Sequence, residues 1–430
     1  MQHFKPTILM LLIASQIALS AKAQEESDSV FSEIDKYDPE LGYFQKAYSD
    51  IGDPRFMFTD GSGNLDIGIG GTIKASAFFD FYGTMGDTNA RFSASNITIP
   101  SDKANKFGMS ASGSELHIKA RSKLAGHKII AFIGMAANDD GTMKLGNAYV
   151  SFDGFTIGRV YSFFMDLEAG GKTVDMKGPN TEISIGQPLL GYTRPLGKRW
   201  TLAASLEMPQ INAGEFSDWG VEPDNQSMPD IVAKAKYDWG KGHVQVAGLL
   251  RNLSYWRHAR GVVSVSEGDT RHCTGWGVSL SGRVEPSLKS YISYQAYHGK
   301  GIARYINDLG NMDLDMTAAD WNPSTGLCTS MDPVPVTGGF IAGGYNWSSR
   351  LSSNITLGYV YVHHPDELSF EETNRFKCSG YGAINLFYAV DRYCQMGLEY
   401  VSGFRRNYQL DVESDYGEAN RINASFIYQF

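Results

Sequence analysis

The sequence predicts an all-β fold, a transmembrane antiparallel β-barrel of about 16 strands with long extracellular loops. Three observations carry this. The N-terminus reads as an export signal, no later segment is apolar for long enough to cross a membrane as a helix, and segment after segment alternates apolar and polar residues with the period of a strand.

The signal comes first and is set aside before the fold is read. Lys5 gives a basic start, Ile8 to Ala14 a short apolar run, and Ala21-Lys22-Ala23 a small-x-small cleavage site. Residues 1–23 are therefore expected to be a signal peptide, with a mature chain from Gln24. The apolar core is too short for an anchor helix, which needs roughly 18 apolar residues. No cysteine falls in the first 24 residues to carry a lipid anchor. Residues 24–64 are acidic and mixed, without heptads, and are read as a periplasmic N-terminal extension. The barrel is assigned to 65–430, opening with a strand over Leu65 to Gly83.

The later strands follow from alternation around tight turns. Trp200-Leu202-Ala204-Leu206 alternates with Thr201-Ala203-Ser205-Glu207 after a turn at Pro195 to Arg199. Ile231-Ala233-Ala235-Tyr237 turns at Gly240-Lys241-Gly242 into Val244-Val246-Gly248-Leu250. Trp276-Val278-Leu280 turns at Glu285-Pro286-Ser287 into Ile292-Tyr294-Ala296, and Ile355-Leu357-Tyr359-Tyr361 and a hairpin around Asp391-Arg392 continue the series. The last segment is the clearest. Ile422, Ala424, Phe426, Tyr428 and Phe430 share one face, and Asn423, Ser425 and Gln429 the other, with Ile427 the exception. Apolar faces outward and polar faces inward suit lipid, and closure removes the sheet edges that lipid cannot satisfy. Long connections are expected near 84–106, 163–182, 209–229, 257–272, 299–337, 364–378 and 405–419. An even strand number puts both ends and the short turns in the periplasm.

Charge and cysteines exclude other classes. Without Lys5 and Lys22, 36 bases stand against 47 acids, a net charge of −11, which argues against nucleic acid. Cys273, Cys328, Cys378 and Cys394 match no metal spacing, and no cofactor motif is present. A disulfide is expected instead, with Cys328 pairing with Cys273 or Cys378 at the extracellular end and Cys394 excluded beside a periplasmic turn.

One stretch is specific to a family. Gly158-Arg159-Val160-Tyr161-Ser162-Phe163-Phe164-Met165-Asp166 runs on to Asp175-Met176-Lys177-Gly178-Pro179-Asn180. With Leu145 to Tyr149, Gly191-Tyr192-Thr193 and Leu206-Glu207-Met208-Pro209, it resembles the DcaP-like family of trimeric outer-membrane porins. Arg159 stands where that family has glutamine, Tyr161 where it has tryptophan, and Gly191 where arginine is frequent; the family's long N-terminal coiled coil is absent or much reduced. The resemblance implies a homotrimer, anionic solutes with dicarboxylates among them, and a loop after the fifth strand that folds into the barrel.

Such a loop would narrow the pore, and a fixed guanidinium opposite carboxylates would select by charge as well as size. Arg159, facing Asp166, Glu168 and Asp175, is the expected constriction. With each apolar stripe outward, the lumen carries Lys119, Arg121, Arg159, Lys234, Lys236, Arg251 and Arg283 against Glu207, Asp238 and Glu399. Seven bases against three acids lean toward anions, although a one-residue slip would reverse any strand's contribution. The function expected is passive diffusion of small polar solutes through the outer membrane. A barrel enzyme is the alternative from another class, and no Gly-x-Ser-x-Gly or His-Glu-x-x-His motif supports it. A non-conducting structural barrel is the third reading, and a plugged transporter would need about 22 strands.

Overall fold

The computed structural model describes residues 56–60, 64–85, 91–102, 104–124, 126–138, 140–214, 216–258, 268–364, 375–408 and 414–430. The expected signal and most of the expected extension lie outside them. Sixteen strands close into one antiparallel barrel. They are β1 (Leu65–Phe81), β2 (Glu115–Leu124), β3 (His127–Ala137), β4 (Met143–Phe152), β5 (Phe155–Tyr161), β6 (Gly186–Leu196), β7 (Trp200–Glu207) and β8 (Asp230–Asp238). Then follow β9 (Gly242–His258), β10 (Gly268–Ser287), β11 (Ser290–Lys300), β12 (Pro335–Asn346), β13 (Leu351–Val362), β14 (Arg375–Ala389), β15 (Cys394–Tyr408) and β16 (Tyr416–Gln429).

The seam is β1 against β16, from Thr72 opposite Gln429 to Phe81 opposite Asn420. Phe430 locks its end by exchanging backbone hydrogen bonds with Gly71, 3.0 Å each way. Inside the seam, Arg421 on β16 holds Asp80 on β1 with both arms of its guanidinium, at 2.6 and 2.9 Å. A short strand, Phe56–Thr59, pairs with β1 within the stretch read as extension.

Period two explains the wall. Along β16, Ile422, Ala424 and Phe426 face out, while Asn423, Ser425 and the exceptional Ile427 are buried within. Short turns join strand pairs at one end, and longer connections leave the other; the connection 138–142, between β3 and β4, is one that alternation had not marked as a loop. The wall is uneven: β5 has 7 residues and β7 has 8, whereas β9 has 17 and β10 has 20.

The interior is where the expectation of a single inward loop gives way. Residues 91–97 of the connection after β1, and the connection 301–334, fold inward as well as 162–185, whereas Lys106–Ser110 of the first connection pairs with β1 as a short wall strand. Phe163, Phe164, Leu167 and Ile183 pack with Ile302, Tyr305, Ile306 and Leu309 against inward Val160, Leu189, Val232, Leu249, Val336 and Val360. Met85, Phe92 and Ile97 of the first connection pack on Tyr381, Ala383 and Val401. Apolar loop residues thus bury themselves inside the barrel, so parts of the inner wall are apolar too. The expected disulfide is not formed: all four cysteines are free thiols, with Cys328 opposite Trp321 in a hairpin of the sixth connection and Cys378 opposite Tyr361 in the wall.

Candidate functional site

The loop 162–185 leaves β5 and crosses the barrel, fastened along its length by inward wall side chains. At its start the Phe163 N–H donates to Glu207 Oε1 on β7 at 2.9 Å, and Gln187 on β6 holds the other oxygen at 2.5 Å. Asp166 then accepts from Ser281 Oγ on β10 at 2.7 Å and meets His243 Nε2 on β9 at 2.9 Å. Burial works against ionised Asp166, but His243, Ser281 and the charge on Lys236 outweigh it and hold the carboxyl below its ordinary range. Glu168 pairs with Lys236 on β8 at 2.5 Å. Farther on, Glu399 of β15 accepts from the Val174 N–H at 2.8 Å, and Asn385 of β14 donates to the Lys172 carbonyl at 2.8 Å.

Bare backbone makes room for the loop. A Cβ on Gly191 would stand 2.3 Å from the Phe163 ring, and one on Gly358 would stand 2.2 Å from Thr181 Oγ1. An arginine at 191 would collide with Phe163, which accounts for glycine there.

The three inward connections are also tied to one another. Asp175 accepts from the Phe92 N–H at 3.0 Å, and Asn180 donates to the Phe92 carbonyl at 2.8 Å. Asp308 accepts from the Ser95 N–H at 2.6 Å and lies 3.6 Å from Lys177 Nζ. The Asn307 N–H donates to the Glu182 carbonyl, and the Ser184 N–H to the Tyr305 carbonyl, both at 2.9 Å. The sixth connection is itself locked to the wall. Arg251 on β9 pairs with Asp230 and Asp315, each at 3.1 Å, and Arg304 reaches Asp230 at 3.4 Å and Gln187 at 2.8 Å.

The placement of the sequence candidates is now plain. Lys119, Arg121, Glu207, Lys234, Lys236, Arg251, Arg283 and Glu399 stand at inward positions of their strands. They are not one group. Glu207, Lys236 and Glu399 fasten the third loop, and Lys234 donates to the Met165 carbonyl of that loop at 3.5 Å. Arg251 fastens the sixth connection, and Arg283 lies over Tyr291 near the short-turn end, paired with Glu285 at 3.1 Å.

Arg159 is a correction. It shares the outward parity of exposed Phe155 and Ile157, whereas Thr156 and Val160 turn inward. Its Nε donates to the Gly146 carbonyl at 3.1 Å, on the neighbouring strand end, and it does not face Asp166, Glu168 or Asp175. Those three carboxylates are ties of the loop to the wall and to its sister loop.

Two features escaped the sequence reading. Lys74, on β1, is an inward and buried cation; with His117, Lys119 and Arg121 on β2 it gives the β1–β2 wall a basic face, accompanied by Asp66 and Glu115. The hydrogen bonds of the third loop reach β7 to β12, β14 and β15, so this basic face lies outside the arc that the loop occupies. Glu182 is the second. Its carboxyl is half-buried, with no hydrogen bond or ion pair holding it among the described residues. Burial, helped by the charge of Asp175, pushes it up to about 8.

A closed barrel of sixteen strands, apolar without and narrowed within by interlocked loops, defines an outer-membrane porin. The family model for the DcaP outer membrane protein matches residues 60–430, and the chain belongs to that family. The crystal structure of the outer membrane channel DcaP of Acinetobacter baumannii is similar at a TM-score of 0.70 and 17% identity, covering 87% of this chain and 99% of that one. An anion-selective porin from Comamonas acidovorans follows at 0.52 and 10%, covering 85% and 100%. OmpT, an outer membrane protein of Vibrio cholerae, folded in vitro, gives 0.51 and 11%, covering 87% and 99%. No curated protein sequence matches the chain.

Proposed function

We propose that this porin is a passive channel favouring small anions, dicarboxylates among them, which pass between the interlocked loops and the inner face of β1 to β4. One observation carries the reading. Asp166, Glu168 and Asp175 are engaged in building the constriction, whereas half-buried Arg121, with buried Lys74 and Lys119 beside it, puts positive charge in the inner wall outside the arc to which the loop is bonded. A field with that asymmetry raises the local concentration of anions and lowers that of cations. The Comamonas acidovorans porin of the same fold is anion-selective, which agrees with it. Reversal potentials across a salt gradient in planar bilayers test the proposal: a cation-selective or unselective wild-type channel would refute it.

A serine, a histidine and an aspartate do meet inside the barrel, at Ser281, His243 and Asp166. Their arrangement speaks against an enzyme. Both Ser281 Oγ and His243 Nε2 are directed at the same Asp166 oxygen, and His243 Nδ1 lies 3.7 Å from Glu168. A nucleophile needs its base on the hydroxyl, and here the hydroxyl is spent on the carboxylate.

The homotrimer is proposed to form through the low wall of β2 to β7. There the strands are shortest, and the upper outward surface carries exposed Met143 and Met208, adjoined by Phe107 and Met109 of the short strand Lys106–Ser110 that pairs with β1. Flexible, polarisable methionines suit a protein contact, and outward Arg159 stands in this wall. Trimer retention on unboiled gels tests it.

A further inference from the structure

The opposite wall carries a different outward surface at the same height. At the long-loop ends of β11 to β16, outward rings gather with outward cations. Lys300 and His298 end β11, His363 follows β13, Lys377 lies on β14 and Arg406 on β15. Lys300, His298, His363 and Arg406 are exposed. The rings beneath them are Tyr361, Tyr408 and Tyr416. Lys377 Nζ stands 4.9 Å from the Tyr408 centroid and the Arg406 guanidinium 5.4 Å from that of Tyr416. The belt is braced: Tyr361 and Tyr408 share a hydroxyl bond of 2.9 Å, His363 packs on Tyr361 at 4.5 Å, and Thr337 Oγ1 meets both His298 at 2.8 Å and His363 at 3.3 Å.

Directly below this belt the same strands turn Ile341, Ile355, Leu357, Ile384 and Leu398 outward, all exposed. The cations therefore lie where hydrocarbon gives way to headgroups, with amphipathic rings at the boundary. Among the described residues Lys300, Lys377 and Arg406 form no ion pair. Asp332 of the sixth connection feels the charge of Lys300 without pairing with it, and Glu418 on β16 is held by Tyr416 OH at 3.2 Å. Two long ammonium side chains and a guanidinium fork at one level can bind phosphate oxygens, the guanidinium with two parallel hydrogen bonds.

We propose that this belt is a binding surface for a phosphorylated glycolipid of the outer leaflet, its sugar phosphates on Lys300, Lys377 and Arg406 and its acyl chains along β12 to β15. The long-loop end of an outer-membrane barrel faces outward, so the lipid it meets belongs to the outer leaflet.

The test uses the purified full-length porin in detergent, titrated with diphosphoryl lipid A, with lipid A stripped of both phosphates, and with phosphatidylglycerol, bound lipid being counted by native mass spectrometry. Wild type should hold diphosphoryl lipid A at least tenfold more tightly than either other lipid. The K300Q/K377Q/R406Q variant should lose that margin while keeping its heat-modifiable mobility and conductance. R194Q, an outward cation at the short-turn end, should keep the margin. Equal binding of stripped and intact lipid A by wild type overturns the proposal without any variant. Equal binding of phosphatidylglycerol reduces the belt to a general anionic-lipid surface and also overturns it. So does an unchanged margin in the triple variant.

Discussion

Asn180 in the third connection donates from Nδ2 to the backbone carbonyl of Phe92 in the first, at 2.8 Å, while its Oδ1 accepts from the Ala94 N–H at 3.2 Å. One buried amide thus clasps a neighbouring loop by both of its functional groups. The constriction depends on such ties, because two loops inside a barrel have no sheet to hold them in register.

Asn180→Ala should therefore loosen the constriction without opening the barrel. The change strands two buried backbone groups, each costing about 1–3 kcal/mol when left unpaired. Single-channel recordings should show larger and noisier conductance, while mobility before and after boiling stays as in wild type. A trace indistinguishable from wild type would mean that the loops are held elsewhere, with Arg251 and Asp315 the next tie to cut.

Arg159→Ala should leave ion selectivity unchanged and weaken the trimer. The guanidinium stands on the outer face and bonds to Gly146, so its charge does not border the lumen. The temperature at which trimers dissociate in SDS should fall by several degrees. A shifted reversal potential in an intact trimer would return Arg159 to the eyelet and refute the parity argument.

Parity also explains what could be read from the sequence. β16 was legible because its outward face meets only lipid and its inward face mostly water, so Ile422, Ala424 and Phe426 separate cleanly from Asn423 and Ser425. β5 was misread although the signal was present: Phe155 and Ile157 fix the outward set, and Arg159 follows at period two. In the same strand Val160 turns inward onto Phe163 and its neighbours, and a wall covered by a loop is apolar on both faces, so alternation fades there. The inward course of 91–97 and 301–334 was not legible at all. It rests on long-range ties such as Asp308 to Ser95 and Arg251 to Asp315, which no local period encodes.

Lys119→Gln with Arg121→Gln should cut the anion-to-cation permeability ratio about tenfold. A tenfold change needs only about 1.4 kcal/mol, and one unit charge at 4 Å is worth about 4 kcal/mol at an effective dielectric near 20. Two wall charges can supply that even when largely screened. Both side chains stand on the inner face of β2, outside the stretch of wall to which the loop is bonded, so conductance should move little and the barrel should fold. Unchanged selectivity would place the filter on the loop side, at Lys172, Lys177 or Arg405.

Glu182 should make anion selectivity depend on pH in the alkaline range. Its carboxyl sits up to about 8, raised first by burial and then by Asp175. Buried Tyr297 and Tyr381 feel its charge from β11 and β14, and Asp308 stands close enough to affect the same two rings. Lys177 offsets Asp308 from 3.6 Å. The sign follows from the direction of the shift. Below about 8 Glu182 is neutral, and the loop adds no further negative charge to the pore. Above it the carboxylate ionises and repels the anions that the β1–β2 wall attracts. The permeability ratio for chloride over potassium should therefore fall severalfold between pH 7 and pH 9 and recover on return. Glu182→Gln is neutral throughout, so its ratio should stay near the wild-type value at pH 7 across that range. A wild-type ratio that is flat from pH 7 to 9 would remove Glu182 from the pore lining. A fall that persists in Glu182→Gln would assign the titration to another group on the lumen wall.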